Sequence, residues 1–185
     1  MKILVTGGTG LAGSHSIRDL LAAGHEVRAL VRSESKLARV FPSSPKGLSS
    51  AVGDIADRAS VERALEGCDA LLHAAAVVSM DNASPEALIE ANLGGVQKVL
   101  GAALDAGVKR IVHVSTLSAL FHVGPSGQAE PITPDTEPHE SEHAYGRSKA
   151  MAEQWVRERQ AEGAPVWTTY PSAVIAPDDP GMTES

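Results

Sequence analysis

The sequence predicts an α/β fold, a doubly wound parallel sheet covered by helices on both faces in three layers. Short apolar runs alternate with helix-like segments along the whole chain, as expected when parallel strands are joined by helices. The 185 residues are 43% hydrophobic but only 3% aromatic, so the core must consist of Ala, Val, Leu and Ile. Such small side chains suit helices that lie closely on a parallel sheet. A glycine cluster also follows the first apolar run directly.

The elements alternate in order along the chain. Strands are predicted at 3–5, 26–31, 48–52, 69–73, 109–114 and 166–170, and helices at 11–23, 33–40, 57–66, 84–106 and 144–162. Asp57 is suited to cap the third helix, and Ser84 followed by Pro85 opens the fourth. Gly94 and Gly95 lie inside that fourth helix, where they are expected to permit close packing.

Three glycines after the first strand, Gly7, Gly10 and Gly13, have the spacing G-x-x-G-x-x-G. In the dinucleotide fingerprint, one such glycine makes the strand-to-helix turn, one admits a pyrophosphate and one lets the helix pack on the strand. The free N–H groups of the first helical turn then face the diphosphate. The sequence therefore predicts a dinucleotide site at the start of the first helix.

The residues after the second strand indicate which dinucleotide is bound. An acidic residue here would accept hydrogen bonds from the ribose of NAD, but Arg32 occupies this position. Its guanidinium is suited to a 2′-phosphate, with Ser33 and Lys36 as further donors, so NADP is favoured over NAD. The alternatives are that Arg32 is an ordinary solvated arginine, or that Glu34 serves an NAD site.

Two further strand ends carry candidate cofactor contacts. Asp54, followed by Ile55, closes the third strand, where its carboxylate either accepts the adenine amino group or serves only in a turn or helix cap. The run 74–76, three alanines after the fourth strand, provides the small side chains needed where backbone passes close to a dinucleotide.

Tyr145 and Lys149 are the candidate chemical pair. Residues i and i+4 share one face of a helix, so the hydroxyl and the ammonium can share a site. An ammonium nearby is expected to lower the pKa of the phenol, which fits proton exchange with a carbonyl or alcohol. A hydroxyl from the end of the fifth strand, within 114–118, is expected to hold the substrate oxygen. The Pro- and Gly-rich segment 122–143 is expected to be an active-site loop.

Seven stretches together resemble the extended short-chain dehydrogenase/reductase family, that is, the NAD(P)-dependent epimerase/dehydratase group. They are Thr6–Gly13, Gly53–Ile55, His73–Ala76, Asn92–Gly95, His113–Thr116, Tyr145 with Lys149, and Tyr170–Val174. The second strand looks most like the dihydroflavonol-reductase and 3β-hydroxysteroid-dehydrogenase-like branch, many members of which use NADP.

The resemblance implies a role for each site residue. Tyr145 would be the catalytic acid/base, Lys149 its pKa modifier and nicotinamide-ribose ligand, and Thr116 the hydroxyl partner, with Ser115 and Ser118 as alternatives. Asp54 would meet adenine, and the segment 171–174 would pass beside the nicotinamide. The full set expected to bind cofactor is Gly7, Thr9, Gly10, Leu11, Gly13, Arg32, Lys36, Asp54, Ile55, Ala74, Ala75, Ala76, Tyr145, Lys149, Pro171, Ala173 and Val174.

The expected domains are an NAD(P)-binding Rossmann domain at 1–176 and the start of a truncated substrate-binding region at 177–185. Family members continue for roughly 100 further residues, an ordinary domain length, so the chain is expected to be a fragment. Ala176 also stands where the family usually has Gly before Pro177.

The favoured function is an NADP-dependent carbonyl reductase or alcohol dehydrogenase acting on a small molecule. A nucleotide-sugar epimerase is the enzymatic alternative. A dehydratase would usually have an acidic pair where Leu117 and Ser118 stand. The non-enzymatic alternative is an NADP-sensing module, although such modules can lose the tyrosine or lysine that this chain keeps.

Composition argues against several other partners and locations. A net charge of −7 argues against nucleic acid and anionic membranes. The single cysteine, Cys68, suits a reducing compartment, and no run approaches the ~20 apolar residues of a membrane span, so a cytoplasmic location is expected. The histidines lack zinc-ligand spacing, so no metal is expected. A homodimer is compatible with the sequence.

Overall fold

The apolar runs of the sequence form parallel strands. A computed structural model describes residues 1–78, 84–123, 127–133, 135–139, 141, 143–177 and 179. Its strands are β1 (Lys2–Thr6), β2 (Glu26–Val31), β3 (Leu48–Val52), β4 (Ala70–His73), β5 (Ile111–Val114) and β6 (Val166–Thr169). They form one sheet in the order β3-β2-β1-β4-β5-β6, and all neighbouring strands are parallel. The predicted doubly wound α/β fold is confirmed.

The helices begin at the residues that the capping patterns indicate. They are α1 (Leu11–Ala22), α2 (Glu34–Val40), α3 (Arg58–Leu65), α4 (Pro85–Ile89), α5 (Gly95–Asp105) and α6 (Ala144–Ala161). The Asp57 carboxylate accepts a hydrogen bond from the Ala59 amide at 3.1 Å, and the Ser84 hydroxyl accepts one from the Ala87 amide at 3.3 Å. Both predicted caps are therefore present, and each satisfies an amide of the first turn.

The helix predicted at 84–106 is interrupted. Between α4 and α5, residues Glu90–Gly94 form a π-helical segment. Within it, the Asn92 side chain is buried and hydrogen-bonds away from its own helix, and such wide turns are found mostly at functional sites. Gly95 follows at a close contact, because a Cβ there would lie 3.1 Å from Cδ1 of Ile55.

Two hydrophobic cores lie on opposite faces of the sheet. Along β1, Ile3 and Val5 belong to the core beneath α1 and α2, whereas Leu4 belongs to the core formed with α3, α5 and α6. Because both faces are covered, the strands are apolar at successive positions rather than alternating with polar residues. The strand ends are consequently the part of the sheet that is free to carry polar groups.

Parts of two predicted regions lie outside the described residues. In the segment expected to be an active-site loop, residues 124–126, 134, 140 and 142 are not among them, nor are 178 and 180–185 of the expected substrate region. Before the loop, Leu117–Ala119 form a 3-10 turn, and the amide of His139 donates to the carbonyl of Ala119 at 2.9 Å. Within the described ranges, no helix is long and apolar enough to cross a bilayer.

Candidate active site

The glycine loop and the alanine run meet at the carboxyl edge of the sheet, between β1 and β4. Gly7 has φ +75°, and a Cβ on it would lie 2.7 Å from the backbone of Ala74 and Ala75. The amide of Ala74 donates to the Thr6 carbonyl at 3.2 Å. The strand order reverses at this point, where open α/β sheets bind ligands.

The glycines of the loop differ in how much room a side chain would have. A Cβ on Gly13 would lie 2.2 Å from the carbonyl oxygen of Gly7, so Gly13 allows α1 to pack against the turn. A Cβ on Gly10 would meet only that same oxygen, at an ordinary 3.5 Å. Gly10 precedes α1 and provides no side-chain acceptor for the first-turn amides. These amides and the open space at Gly10 fit a diphosphate.

Beside the loop lies a cleft of about 690 Å³ with basic walls. Lys36 lines it, together with Thr9 and two cations that the sequence analysis missed, Arg18 and Arg39. Its lining is Thr9, Arg18, Lys36, Arg39, Val40, Pro42 and the acidic Asp179. Both missed arginines are on helices, and only the packing of α1 beside α2 brings them together.

Arg32 and Glu34, the rival residues for cofactor choice, have different surroundings. Arg32 is exposed directly after β2 and does not line the basic cleft. Glu34 is the first residue of α2, and its carboxylate accepts a hydrogen bond from the Ser50 hydroxyl at 2.7 Å. Glu34 is therefore engaged with β3.

Asp54 serves in the turn after β3. Its carboxylate accepts a hydrogen bond from the Ala56 amide at 2.9 Å, and its backbone exchanges hydrogen bonds with the Ser60 hydroxyl. Ile55 packs against the core on the α5 side. The turn role of Asp54 is thus present, while a contact with adenine stays a prediction.

The candidate catalytic residues come together at the neighbouring strand end. Tyr145 is the second residue of α6, and the side chain of Thr116, which follows β5, lies close enough to lower the pKa of its phenol. Lys149 lies one turn further along α6, is 2% exposed, and donates to the carbonyl oxygen of Val114 at 3.4 Å. Among the three candidate hydroxyls, it is Thr116 that contacts the tyrosine.

The other two hydroxyls are placed differently. Ser118 is exposed, and its amide donates to the Thr116 hydroxyl at 3.2 Å, which orients that group. Ser115 is buried, and its hydroxyl has no partner among the residues described. From the last predicted segment, the Pro171 carbonyl accepts from the Leu117 amide at 3.0 Å, whereas Ala173 and Val174 are exposed.

The electrostatics of the pair differ from the expectation in one respect. Burial raises the pKa of Tyr145 above its ordinary value, and the hydrogen bond with Thr116 opposes this only in part. The net pKa shift of Tyr145 is therefore upward rather than downward, because desolvation of the phenolate dominates, and the opposing effect of Lys149 stays a prediction. Burial also lowers the pKa of Lys149 to about 8, so its ammonium is still charged at neutral pH.

The family comparison agrees with this geometry. Residues 3–185 match the model of the family described as NAD dependent epimerase/dehydratase. The chain belongs to this family. The predicted resemblance is confirmed, and relatives include dihydroflavonol-reductase-like proteins and a 3-beta-hydroxysteroid dehydrogenase of Mycolicibacterium neoaurum.

Three curated relatives show how much of the chain is shared. Sterol demethylase protein B of Methylococcus capsulatus is 35% identical over 97% of this chain and 53% of its own length. A farnesyl-dihydroquinoline-oxide ketoreductase of Stigmatella aurantiaca is 35% identical over 97% and 52%, respectively. A Synechocystis protein that is named a putative dihydroflavonol 4-reductase is 34% identical over 95% of this chain and 50% of its own length. The chain thus spans about half the length of the curated relatives it matches.

Two solved structures of the family are similar to this chain. The dTDP-glucose 4,6-dehydratase DesIV of Streptomyces venezuelae, solved with NAD and TYD bound, has a TM-score of 0.76 and 34% identity over 92% of this chain and 55% of its own. The UDP-glucose 4-epimerase of Thermus thermophilus, solved with NAD, has a TM-score of 0.74 and 31% identity over 92% and 54%. This chain therefore shares the Rossmann-type fold of these two proteins.

The sequence analysis named Asn92 only within a stretch that resembles the family and assigned it no role, yet it lies next to the site. Its amide donates to the carbonyl of Val77 at 2.9 Å and to the Ser148 hydroxyl at 2.9 Å, and its oxygen accepts from the amide of Val77 at 2.8 Å. Asn92 thereby ties the loop after β4 to the residue beside Lys149. The available signal was the stretch Asn92–Gly95 itself, because it belongs to the family resemblance.

Proposed function

We propose that this protein is an NADP-dependent oxidoreductase, a carbonyl reductase or alcohol dehydrogenase that acts on a small-molecule substrate. The observation that carries the proposal is the grouping of Tyr145, Thr116 and Lys149 at one sheet edge, where Tyr145 and Lys149 are one turn apart on α6 and Lys149 reaches the end of β5. The names of two relatives, a ketoreductase and a dihydroflavonol reductase, support carbonyl reduction as the reaction.

The three side chains have complementary tasks at the substrate oxygen. The cofactor, when bound, supplies or accepts the hydride. Because burial raises its pKa, the Tyr145 phenol is protonated at neutral pH and donates its proton to the oxygen of a carbonyl undergoing reduction. Thr116 hydrogen-bonds that oxygen, and the charge of Lys149 stabilises the phenolate that remains.

Three basic residues support NADP as the preferred cofactor. Lys36, Arg18 and Arg39 line the cleft that adjoins Thr9 of the glycine loop. A 2′-phosphate adds negative charge, which such a cluster stabilises, and Arg32 lies at the adjoining end of β2. The carboxylate of Glu34 is already hydrogen-bonded to Ser50, which disfavours it as the ribose ligand of NAD.

A paired fluorescence titration with NADPH and NADH tests the cofactor proposal. We expect tighter binding of NADPH, and the variants Arg32→Ala and Lys36→Ala should each weaken it about tenfold with little effect on NADH, as loss of one charged contact is worth about 1.4 kcal/mol. Lys46→Ala is the control, since Lys46 is exposed and outside the cleft. Equal or tighter binding of NADH would overturn the proposal.

Tyr145→Phe and Thr116→Val test the reaction in the same protein. Both variants should bind NADPH normally but reduce carbonyl substrates at least about 100-fold more slowly, because each lacks a group acting at the substrate oxygen. Interconversion of nucleotide sugars without net cofactor consumption would instead show the epimerase. A cofactor-dependent output that is unchanged in Tyr145→Phe would show a sensor.

A further inference from the structure

A buried carboxylate, that of Glu153, lies one helical turn beyond Lys149 on α6. Glu153 is four residues after Lys149 on α6, so both side chains share one helical face. Glu153 is 0% exposed and Lys149 is 2% exposed. Burying a charge is very costly unless an opposite charge lies near, so a buried carboxylate one helical turn away favours the charged form of Lys149.

One oxygen of this carboxylate is held from two elements. Oε1 of Glu153 accepts a hydrogen bond from the Tyr170 hydroxyl at 2.5 Å and another from Nε of Arg157 at 3.1 Å. Arg157 is itself fixed, because its Nη1 donates to the carbonyl of Thr136 at 2.8 Å. The other oxygen, Oε2, is buried without a partner among the described residues. The carboxylate is thus fixed in place while part of its charge is left uncompensated.

The other titratable groups around Lys149 carry no opposing charge. Tyr145, on the same helix, is a neutral phenol at neutral pH. On β4 and β5, His73 and His113 lie near enough to feel the charge of Lys149, and burial, the larger cause, keeps both imidazoles neutral, with the pKa of His73 lowered to about 3 and that of His113 well below its ordinary value. Burial lowers the pKa of Lys149, and Glu153 opposes this.

We propose that Glu153 is a positioning residue of the active site, whose clamped, buried carboxylate keeps the Lys149 ammonium charged one helical turn from Tyr145. The proposal rests on the proposed function for its catalytic meaning, although the electrostatic pairing of Glu153 with Lys149, that is, the effect of the carboxylate on the charge of Lys149, concerns the fold alone. Without this carboxylate, burial would lower the pKa of Lys149 further and reduce the charged fraction of the amine at neutral pH, and a neutral amine cannot stabilise a phenolate.

The test follows the protonation of Lys149 directly. In the full 185-residue chain labelled with ¹³C, the ε-carbon of Lys149 is titrated by NMR and assigned by its absence in Lys149→Met. Glu153→Gln preserves the shape but removes the charge, and should lower the Lys149 midpoint by about one pH unit or more, a tenfold change in proton affinity. Glu158→Gln, an exposed carboxylate on the same helix, should leave it unchanged.

A second variant shifts the midpoint in the opposite direction. Arg157→Gln removes a cation that competes for Glu153, so the Lys149 midpoint should rise, whereas a merely structural disturbance would lower it or leave it in place. This variant also serves if Glu153→Gln does not fold. An unchanged midpoint in either folded variant overturns the proposal.

The kinetic readout separates this proposal from the proposed function. In an active protein, Glu153→Gln should move the alkaline limb of the kcat/KM profile to lower pH by the same shift, with the NADPH affinity unaltered. A shifted midpoint in a chain without reductase activity would support the pairing and contradict the proposed function. An unshifted midpoint in an active reductase would contradict the pairing alone.

Discussion

His73 and His113 are the side chains whose ionisation the fold constrains most strongly. They are register partners on β4 and β5, both are 1% exposed, and their rings stack with centroids 5.4 Å apart. His73 shares a hydrogen bond with the Thr6 hydroxyl at 2.7 Å, whereas neither ring nitrogen of His113 has a partner among the described residues. Two stacked imidazoles in such a place must stay neutral for the chain to stay folded.

His113→Leu should therefore reduce the acid sensitivity of the fold. As the pH falls below about 6.5, a histidine takes up a proton in the unfolded chain but not in the folded one, so acid favours unfolding by up to about 1.4 kcal/mol per pH unit for each buried histidine. Leucine has a similar volume and cannot titrate. Urea unfolding between pH 6 and pH 4 should give a shallower slope for His113→Leu than for the wild type.

The matched control for this prediction is His143→Gln, because His143 is exposed just before α6. Its slope should equal that of the wild type. A His113→Leu variant with the full wild-type slope would mean that His113 already titrates normally in the folded state.

At the scale of elements, the junction of β1 and α1 combines two demands on three glycines. Gly7 and Gly13 are required by the fold itself, since added side chains would run into backbone atoms. Gly10 has room for a methyl group in the structure, so its identity has a different origin. The approach of a diphosphate to the first turn of α1 supplies one.

Gly10→Ala and Gly13→Ala should consequently fail in different ways. Gly13→Ala should lower the free energy of unfolding by several kcal/mol, because a methyl group 2.2 Å from the Gly7 oxygen forces the helix off the turn. Gly10→Ala should keep the wild-type stability to within about 1 kcal/mol while NADPH affinity falls at least about tenfold. Chemical denaturation and fluorescence titration measure the two effects.

Gly101→Ala provides the control, since it lies inside α5 and a Cβ there meets only the flexible end of Arg58. It should preserve both stability and binding. Unaltered NADPH affinity in Gly10→Ala would contradict the proposal that the pyrophosphate binds at this loop.

Elements also determine how the site is held together. Asn92 lies in the π-helical segment and joins Val77, after β4, to Ser148 on α6. Ser148 immediately precedes the candidate catalytic residue Lys149 on α6. The π-helical segment thus places the Asn92 amide between the loop after β4 and α6, and it links that loop to the helix that carries the candidate pair Tyr145 and Lys149.

For the whole molecule, the central fact is that both faces of the sheet already carry a packed core. The glycine loop, the alanine run and the candidate catalytic residues lie on one edge of this sheet, at the ends of β1, β4 and β5. We therefore expect the 185-residue chain to bind cofactor by itself, even though it spans about half of its relatives.

NADPH should accordingly stabilise the chain against unfolding. A ligand that binds only the folded state at about 100 times its Kd adds about 2.7 kcal/mol to the free energy of unfolding. We expect this gain from NADPH in chemical denaturation, a smaller gain from NADH at the same concentration, and little from either in Gly10→Ala. Equal stabilisation of the wild type and Gly10→Ala would show binding outside the glycine loop.

The spacing of residues along the sequence determined most of the local structural features. The order of strands and helices, the caps at Asp57 and Ser84, the glycine turn and the helical pair Tyr145 with Lys149 were all predictable, because each depends on neighbours within a few residues. The parallel sheet followed from the alternation of strands and helices.

Only the tertiary structure decided the features that depend on distant residues and on burial. It selected Thr116 among three hydroxyls, grouped Arg18 and Arg39 with Lys36, and placed Glu153 behind Lys149. It also reversed the expected pKa shift of Tyr145, because the loss of water around a side chain is fixed by everything packed on it. Side-chain direction and desolvation are set by long-range packing, and sequence spacing alone does not encode them.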